Sequence, residues 1–275
     1  MSYAELRRKI KAYYTDSVNN EWRRLTTGAI SSLEFNTTMR FLNDYLPKKG
    51  IILDAGSGPG RYAFTLAEYG YKIMLFDYTP ANLAFAKRKI KRAGMQKSII
   101  GAVEGSLVDL SAFQSNHFDA VMCLGGPLSH VVGRKQRQQA AKEIIRVAKR
   151  GAPIFVSVMN KMSAMVGFVR MFRNELAAPY FENYLKNGDY PGGYGFTAYH
   201  GFEPKELQDL FAKQGAKVLA TTALEGYGSY SEKDLSKLRR NKKLWKIWLS
   251  VHNRTITHPS SIGISQHIMV VCRKV

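Results

Sequence analysis

The sequence predicts an α/β fold, in which a doubly wound, mostly parallel seven-stranded sheet carries helices on both faces. Short apolar runs alternate with helix-length segments from residue 51 onward, and this alternation requires a parallel sheet that is covered on both sides. Gly70 and Gly151 fall just past predicted helices, where a left-handed residue is favoured. A content of 45% hydrophobic and 23% charged residues is that of a globular chain. We predict that residues 1–275 form one domain.

The predicted elements follow one another in a regular order. Residues 1–46 are predicted to form an N-terminal helical cap, which ends at residues 47–50 because a proline and a glycine stand there. Strands are predicted at residues 51–55, 72–77, 98–103, 118–124, 152–159, 217–224 and 267–275. Helices are predicted between them at residues 60–69, 79–93, 134–150 and 203–214. The last two strands, joined by a long excursion, predict a hairpin with an antiparallel edge strand.

Two segments interrupt the alternation. Residues 160–200 are rich in aromatic residues and glycine, and we predict a lid or substrate-binding insertion there. The alternative is a small helical cover that is packed for stability. Residues 229–262 are predicted to form a basic helical excursion before the last strand, with Trp245 and Trp248 beside its lysines.

Charge and cysteine content limit the partners and the compartment. The net charge of +20, from 41 Lys and Arg against 21 Asp and Glu, makes RNA a candidate partner, although basic clusters at helical spacing are usually solvated faces. No apolar run reaches the roughly 18 residues that a membrane span needs, and the polar, basic N-terminus predicts no signal peptide. Cys123 and Cys272 lie in strand-like runs, so we predict buried thiols in the reducing cytoplasm. The sequence predicts no oligomeric state.

A glycine-rich turn follows the first predicted strand. Such a turn lets the backbone approach a ligand closely, and the helix behind it presents free N–H groups to an anion. A nicotinamide dinucleotide fits poorly, because the third glycine of its fingerprint would fall at Arg61. The acid in this turn disfavours a pyrophosphate, so a ligand with an amino-acid end fits better. The predicted binding residues are Asp54, Gly56, Ser57, Gly58 and Gly60.

An acid also ends the second predicted strand. Asp77 stands 23 residues after Asp54, at a position that accepts both ribose hydroxyls of a nucleoside in open α/β sheets. Tyr78 is predicted to lie against the adenine face. The alternative is that Asp77 caps the helix that opens near residues 79–80.

These stretches resemble the class I S-adenosylmethionine-dependent methyltransferases, from about residue 46 to residue 275. Residues 104–110, 118–127 and 146–151 are similar to that family's adenine-binding segment, its substrate-facing fourth strand and its turn into the fifth strand. The resemblance implies S-adenosylmethionine as methyl donor, S-adenosylhomocysteine as product, and cofactor contacts from Ser106, Leu107 and Leu124. Ser106 departs from the acid that many members carry to receive the adenine amino group.

The family's reaction is displacement at a sulfonium methyl group, which needs an aligned acceptor and, for some acceptors, a base. The predicted base is His130, just beyond the fourth strand; alternatively this histidine bonds to loop backbone. Tyr13 and Tyr14 are predicted either to cover the cofactor or to pack in the core. Tyr199 and His200 are candidates for the acceptor pocket. Glu21, Arg23 and Arg24 are predicted to form a salt-bridged surface.

Several other chemistries are not predicted. Cys123 lies inside a strand rather than in a Pro-Cys pair after it, which argues against covalent cytosine methylation, and no carboxylate cluster predicts a metal site. The leading hypothesis is a methyltransferase that acts on an O, N or S nucleophile of a small molecule. The alternatives are an RNA methyltransferase that uses the basic surface of residues 233–246, and a non-catalytic S-adenosylmethionine sensor.

Overall fold

The computed structural model describes residues 3–193 and 196–275, so residues 1, 2, 194 and 195 of the predicted cap and lid lie outside the described residues. The strands are β1 Ile51–Ala55, β2 Lys72–Asp77, β3 Ile99–Glu104, β4 Ala120–Cys123, β5 Pro153–Met159, β6 Asp189–Tyr190, β7 Tyr199–His200, β8 Ala216–Ala223 and β9 His267–Lys274. The helices are α1 Tyr3–Asp16, α2 Val18–Arg24, α3 Ala29–Tyr45, α4 Arg61–Glu68, α5 Pro80–Ala93, α6 Arg134–Val147, α7 Lys161–Met171, α8 Phe181–Asn187, α9 Pro204–Ala212, α10 Glu232–Arg240, α11 Lys242–Thr255 and α12 Pro259–Ile264.

Seven strands form the central sheet in the order β3-β2-β1-β4-β5-β9-β8. The first five strands in the chain run parallel, and β9 runs antiparallel to both β5 and β8. The predicted fold class and the predicted antiparallel pair at one edge are therefore confirmed. The strand that runs against the others is β9, which is inserted between β5 and the edge strand β8.

The middle strands have no solvent-facing side. All four residues of β4 are buried, and so are six of the seven residues of β5, because helices cover both faces. Each fully buried aliphatic side chain contributes roughly 1.5–3 kcal/mol of transfer free energy to folding. Continuous apolar runs, rather than alternating ones, are what a parallel sheet in this position requires.

The carboxyl ends of β1, β2 and β4 lie side by side. Ile52 pairs with Ala120 in β4, and Asp54 pairs with Leu75 in β2, so the strand order reverses at β1. Ligands of open α/β sheets bind at such a reversal, outside the carboxyl ends of the strands. The fold thus brings together the two acidic motifs that are distant in sequence.

Helical segments surround this edge of the sheet. In the predicted cap, α1 and α2 contact α5. In the insertion, α7, a 3-10 turn, α8 and the small β6–β7 sheet enclose a separate aromatic core around Phe168, Tyr184 and Tyr190. In the excursion, Trp245 and Trp248 pack against α3 residues. Among the described residues, no helix combines the length and the apolar character that a membrane crossing would require.

Asn160 connects the insertion to the sheet. Its side-chain oxygen caps α7 by accepting from Met162 N at 3.0 Å, and its amide donates to the carbonyls of Ile262 and Gly263 at 2.9 and 3.0 Å. We expect Asn160→Ala to lower the free energy of unfolding by about 2–4 kcal/mol, since it removes a cap and leaves buried carbonyls unpaired. Asn241, an exposed cap of α11, provides the matched control: Asn241→Ala should cost about 1 kcal/mol. Equal losses in urea unfolding would contradict this account.

Candidate functional site

A central cavity lies at the carboxyl ends of β1, β2, β3 and β4. It encloses about 1070 Å³ of empty space, counted out to the open solvent, which is ample for a nucleoside ligand. Most of the predicted cofactor residues line it, namely Gly56, Ser57, Gly58, Asp77, Tyr78, Ser106, Leu107 and Leu124. The cap contributes further lining residues that the sequence did not single out as cofactor contacts, among them Arg7, Glu21 and Arg24.

The glycine-rich turn adopts a conformation that other residues rarely accept. Gly56, Gly58 and Gly60 have φ angles of +85°, +53° and +90°. A Cβ atom added to Gly56 would lie 2.4 Å from Cβ of Pro127, so the turn packs directly against the loop that follows β4. The glycines therefore serve both backbone conformation and close approach. Gly60 N-caps α4, and Gly56 and Gly58 line the cavity.

Asp77 binds the turn and the following helix at once. Its carboxylate accepts from Gly58 N at 2.7 Å, Thr79 N at 2.8 Å and Asn82 Nδ2 at 3.2 Å. The carboxylate thus contacts Thr79, the residue before α5, and the Asn82 side chain in the first turn of that helix. Two carboxylate oxygens offer about four acceptor directions, and the donors of Gly58, Thr79 and Asn82 occupy most of them. Both hydroxyls of a ribose would require Gly58 N to give up its bond.

Two buried carboxyl groups lie close together beneath the turn. Burial raises the pKa of Asp77 against the effect of the hydrogen bonds from Thr79, Asn82 and Gly58. Burial and the neighbouring Asp77 raise the pKa of Asp54 to about 7. Asp54 is only 2% exposed, and the residues that line the central cavity do not include it. We therefore expect Asp54 to act through the turn above it.

His130 is held by hydrogen bonds at both ring nitrogens. Its Nδ1 lies 2.8 Å from the Ala198 carbonyl, which can only accept, so Nδ1 carries the proton and Nε2 accepts from Tyr14 Oη at 2.7 Å. Burial lowers the pKa of His130 to about 4, and the Ala198 bond opposes this shift only in part. The sequence suggested a base at this position, with a ring bonded to loop backbone as the alternative. The structure instead provides the backbone partner of the alternative interpretation.

The other predicted pocket residues divide between two places. Tyr13 packs edge-on against Tyr14 and Phe196, with ring centroids 5.3 Å apart in both pairs. Tyr199 lines a second cavity, whereas His200 is absent from the lining of both cavities. His200 is 2% exposed and bonds to Asp189 at 2.7 Å and Glu206 at 2.8 Å. We expect no contact between His200 and an acceptor.

The second cavity, here called the aromatic cavity, lies beyond the end of β5 and the start of β9, under the insertion. It has about 770 Å³ of empty space, counted in the same way. Its lining consists of Met159, Asn160, Ala164, Gly167, Phe168, Met171, Phe172, Tyr190, Phe196, Tyr199, Tyr230, Gln266 and His267. Phe196, which lines the aromatic cavity, also contacts a residue of the central cavity, because its ring centroid lies 5.7 Å from that of His130.

An ionic cluster of Arg24, Glu34, Glu225 and His267 lies between the two cavities. Arg24 bonds to Glu34 at 2.5 Å, and His267 Nδ1 lies 2.7 Å from Glu225 and 4.0 Å from Glu34. The sequence predicted no metal site, yet three potential ligand atoms of this cluster lie within 4.8 Å of one another. The Arg24 guanidinium already neutralises Glu34. Sequence reasoning missed this cluster because its members are distant in the chain, and it placed Arg24 on a surface.

Known proteins resemble the chain in the region of this site. A family model described as a methyltransferase domain matches residues 52–151, from β1 to the turn before β5. A solved S-adenosylmethionine-dependent methyltransferase from Methanosarcina mazei superimposes with a TM-score of 0.59 at 17% identity, covering 86% of this chain and 97% of that chain. Residues 52–151 thus match a methyltransferase domain, and the fold of the chain is similar to that of the S-adenosylmethionine-dependent methyltransferases.

Two further proteins resemble the chain, one in sequence and one in fold. The glycine/sarcosine N-methyltransferase of Parasynechococcus marenigrum (strain WH8102) is 24% identical over 148 residues, which cover 54% of this chain and 51% of that protein. The chain thus spans about half the length of the curated methyltransferases it matches. The (4+2)-cyclase SpnF has the same fold, with a TM-score of 0.54 at 14% identity and coverage of 87% and 80%.

The burial of His130 predicts its titration, because burial lowers the pKa of this ring more than the bond to Ala198 raises it. Because its folded-state pKa lies below the ordinary value of about 6.5, the neutral ring is favoured on folding, and protonation opposes folding as pH falls below that value. We expect the ring of His130 to show no protonation between about pH 5.5 and 8 in ¹³C-labelled histidine NMR, whereas in urea it should titrate near about 6.5. The resonance can be assigned with His130→Gln. A midpoint near neutrality in the folded protein would contradict the structure.

Proposed function

We propose that this methyltransferase domain transfers a methyl group from S-adenosylmethionine to an O, N or S nucleophile of a small molecule. The observation that carries the proposal is the bond from Gly58 N to Asp77, which joins the glycine turn and the acid of β2 into one wall of the central cavity. Neither motif alone distinguishes a methyl donor from other nucleosides. Together they form a cradle. At one end Asp77 can accept from a ligand hydroxyl group, and at the other end the backbone of the glycine turn can approach the ligand closely.

The cradle fits the parts of the cofactor. Asp77 would accept from the ribose, and the half-buried Tyr78 ring would contact adenine beside Ser106 and Leu107. Arg7 and Lys11 of α1 lie 4.7 and 5.2 Å from the centre of that ring, so the cap covers this end of the cavity.

The amino-acid end of the cofactor carries both an ammonium and a carboxylate. Glu21 and Arg24, which line the cavity together, offer the complementary charges. Arg24 uses Nη1 for Glu34, while its Nη2 lies 3.0 Å from the position of a Cβ on Gly125. Arg24 Nε also lies 3.4 Å from a carboxylate oxygen of Glu21, so Nη2 is the nitrogen that we expect to bind the carboxylate of the cofactor.

When bound, S-adenosylmethionine supplies an electrophilic methyl group. The protein's contribution is to hold donor and acceptor in line and to exclude water. The contacts of Tyr13 and Phe196 join the cap to the insertion, which is the arrangement expected if residues 160–200 act as a lid.

Two features support a small acceptor. The aromatic cavity adjoins the central cavity and is lined largely by side chains of the insertion. The curated relative described above is a glycine/sarcosine N-methyltransferase, and its name specifies small acceptors.

The buried free thiols of Cys123 and Cys272 support the predicted location in the reducing cytoplasm.

RNA methylation is the second candidate, because the net charge is +20. The aromatic side chains that suggested an RNA surface, however, are engaged elsewhere: Trp245 and Trp248 pack against the cluster of Ala29, Leu33 and Leu235. The non-catalytic sensor is the third candidate, and the cyclase with the same fold shows that this fold alone does not establish methyl transfer.

Removal of the Asp77 charge tests the cofactor site. We expect Asp77→Asn to weaken S-adenosylhomocysteine binding at least about tenfold, because a charge-assisted bond to the ribose is worth roughly 1.5–3 kcal/mol. Asp44→Asn, at the exposed end of α3, is the matched control and should bind within about twofold of wild type. Titration calorimetry measures both. If wild type binds neither S-adenosylmethionine nor its product, the proposed function is wrong.

The acceptor class is tested with methyl-labelled S-adenosylmethionine and cell extract, fractionated by size after incubation. We expect label in the small-molecule fraction, at least about tenfold reduced with Asp77→Asn at limiting cofactor, in line with the affinity loss. Label in the RNA fraction would favour the RNA candidate. Cofactor binding without any labelled product would favour the sensor.

A further inference from the structure

We propose that His267, held by Glu225, accepts the proton of the methyl acceptor, and that this acceptor is an uncharged aromatic molecule whose hydroxyl group faces His267 in the aromatic cavity. The inference deepens the proposed function and rests on it. It transfers to a residue of β9 the role of base that the sequence suggested for His130.

The first observation is the orientation of the His267 ring. His267 starts β9 opposite Met159, lines the aromatic cavity and keeps 19% of its side chain exposed. Its Nδ1 donates to Oε1 of Glu225 at 2.7 Å, so Nε2 is the proton acceptor of the neutral ring. A carboxylate behind a histidine fixes the tautomer and stabilises the protonated ring that forms when the base acts.

The second observation is that Glu225 itself is immobilised. This residue is 1% exposed, and its Oε2 accepts from Ser265 Oγ and from the backbone N of His267, both at 2.8 Å. The carboxylate therefore has no room to turn away from the ring. Glu225 acts here as a positioning residue, since it contacts the base and not the acceptor.

The charges around the ring suit a base that works near neutral pH. Burial and Arg24 lower the pKa of His267, but Glu225 and Glu34 outweigh them, so the pKa lies above its ordinary value. The pKa of His130 moves in the opposite direction, because its ring nitrogens bond to a backbone carbonyl and a tyrosine hydroxyl rather than to a carboxylate. General bases are most effective when their pKa lies near the working pH.

The third observation is the character of the cavity wall. Over the described ranges 3–193 and 196–275, the lining includes six aromatic side chains but no Asp, Glu, Lys or Arg. An ammonium group would enter without a counter-charge, beside a histidine that itself takes up a proton. A flat aromatic body would instead pack edge-on against these rings.

The cavity also lies next to the exit of β4. Met159 lines the aromatic cavity, and its Cε lies 3.5 Å from the position of a Cβ on Gly126. The neighbouring Gly125 lines the central cavity. The two cavities thus approach each other where the loop after β4 meets the end of β5.

The proposed step balances in atoms and charge. The acceptor hydroxyl gives its proton to Nε2 of His267, and a lone pair of its oxygen forms a bond to the methyl carbon. The carbon–sulfur bond breaks with both electrons on sulfur, which leaves a methyl ether and S-adenosylhomocysteine. The protonated histidine then releases its proton to water when the products leave.

The test uses 4-nitrophenol, whose anion absorbs visible light, as a probe of the aromatic cavity in protein saturated with S-adenosylhomocysteine. We expect the ratio of anion to neutral probe, at equal pH, to be about tenfold higher when bound than when free, because the proton passes to His267. With His267→Gln, the probe should still bind, but burial in an aromatic cavity should now make the bound anion scarcer than in water. The exposed His117→Gln is the matched control and should behave as wild type.

Glu225→Gln provides a second measurement, which does not require the probe. We expect the NMR titration midpoint of His267 to fall in this variant, because the carboxylate that raises it is gone. This measurement also serves if His267→Gln does not fold. A midpoint that stays unchanged would overturn the positioning role.

The outcomes separate the inference from the proposed function. Failure of wild type to bind S-adenosylhomocysteine would overturn both. Normal binding of this product overturns the inference alone in three cases: 4-nitrophenol does not bind, its anion is equally enriched with His267→Gln, or benzyltrimethylammonium binds more tightly than 4-nitrophenol. The last result would identify a cationic acceptor.

Discussion

The site depends on one set of hydrogen bonds, in which the backbone N–H of Gly58 donates to the carboxylate of Asp77 and those of Gly56 and Ser57 donate to the carbonyl of Phe76. This set joins the turn after β1 to the end of β2, and the contact of Gly56 with Pro127 adds the loop after β4. Three strand ends are therefore fixed relative to one another before any ligand arrives. A side chain at Gly56 would separate them, both because φ is +85° there and because Pro127 occupies the space.

This arrangement brings two carboxyl groups together in a buried place, which is electrostatically unfavourable. Burial raises the pKa of both Asp54 and Asp77, although hydrogen bonds from Thr79, Asn82 and Gly58 already stabilise the Asp77 charge. The protein accepts this cost where strong, oriented acceptors are needed. A ligand that donates hydrogen bonds to Asp77 stabilises its charge, so binding offsets part of this unfavourable electrostatic free energy.

The sequence predicted what depends on neighbours in the chain. The bounds of β1 and β2 matched, because buried apolar runs and the glycine turn are local signals. The ionic cluster was not predicted, since Arg24 and His267 meet only through the packing of the cap on β9. His200 was placed near the acceptor from its position beside the insertion, but Asp189 and Glu206 bind both of its nitrogens. Trp248 suggested a binding surface and instead packs near Leu33.

The two histidines show why residue type and position along a strand do not determine chemistry. Both lie at the edge of the sheet where the site opens, and both donate from Nδ1. The partner of Nδ1 is a carbonyl for His130 and a carboxylate for His267, and the pKa moves down in one and up in the other. The dipole of a neutral carbonyl does not compensate for the hydration free energy that an imidazolium loses on burial, whereas a fixed negative charge does. The charge of the residue that accepts from Nδ1 determines which ring can be protonated, and no local sequence pattern reveals that residue.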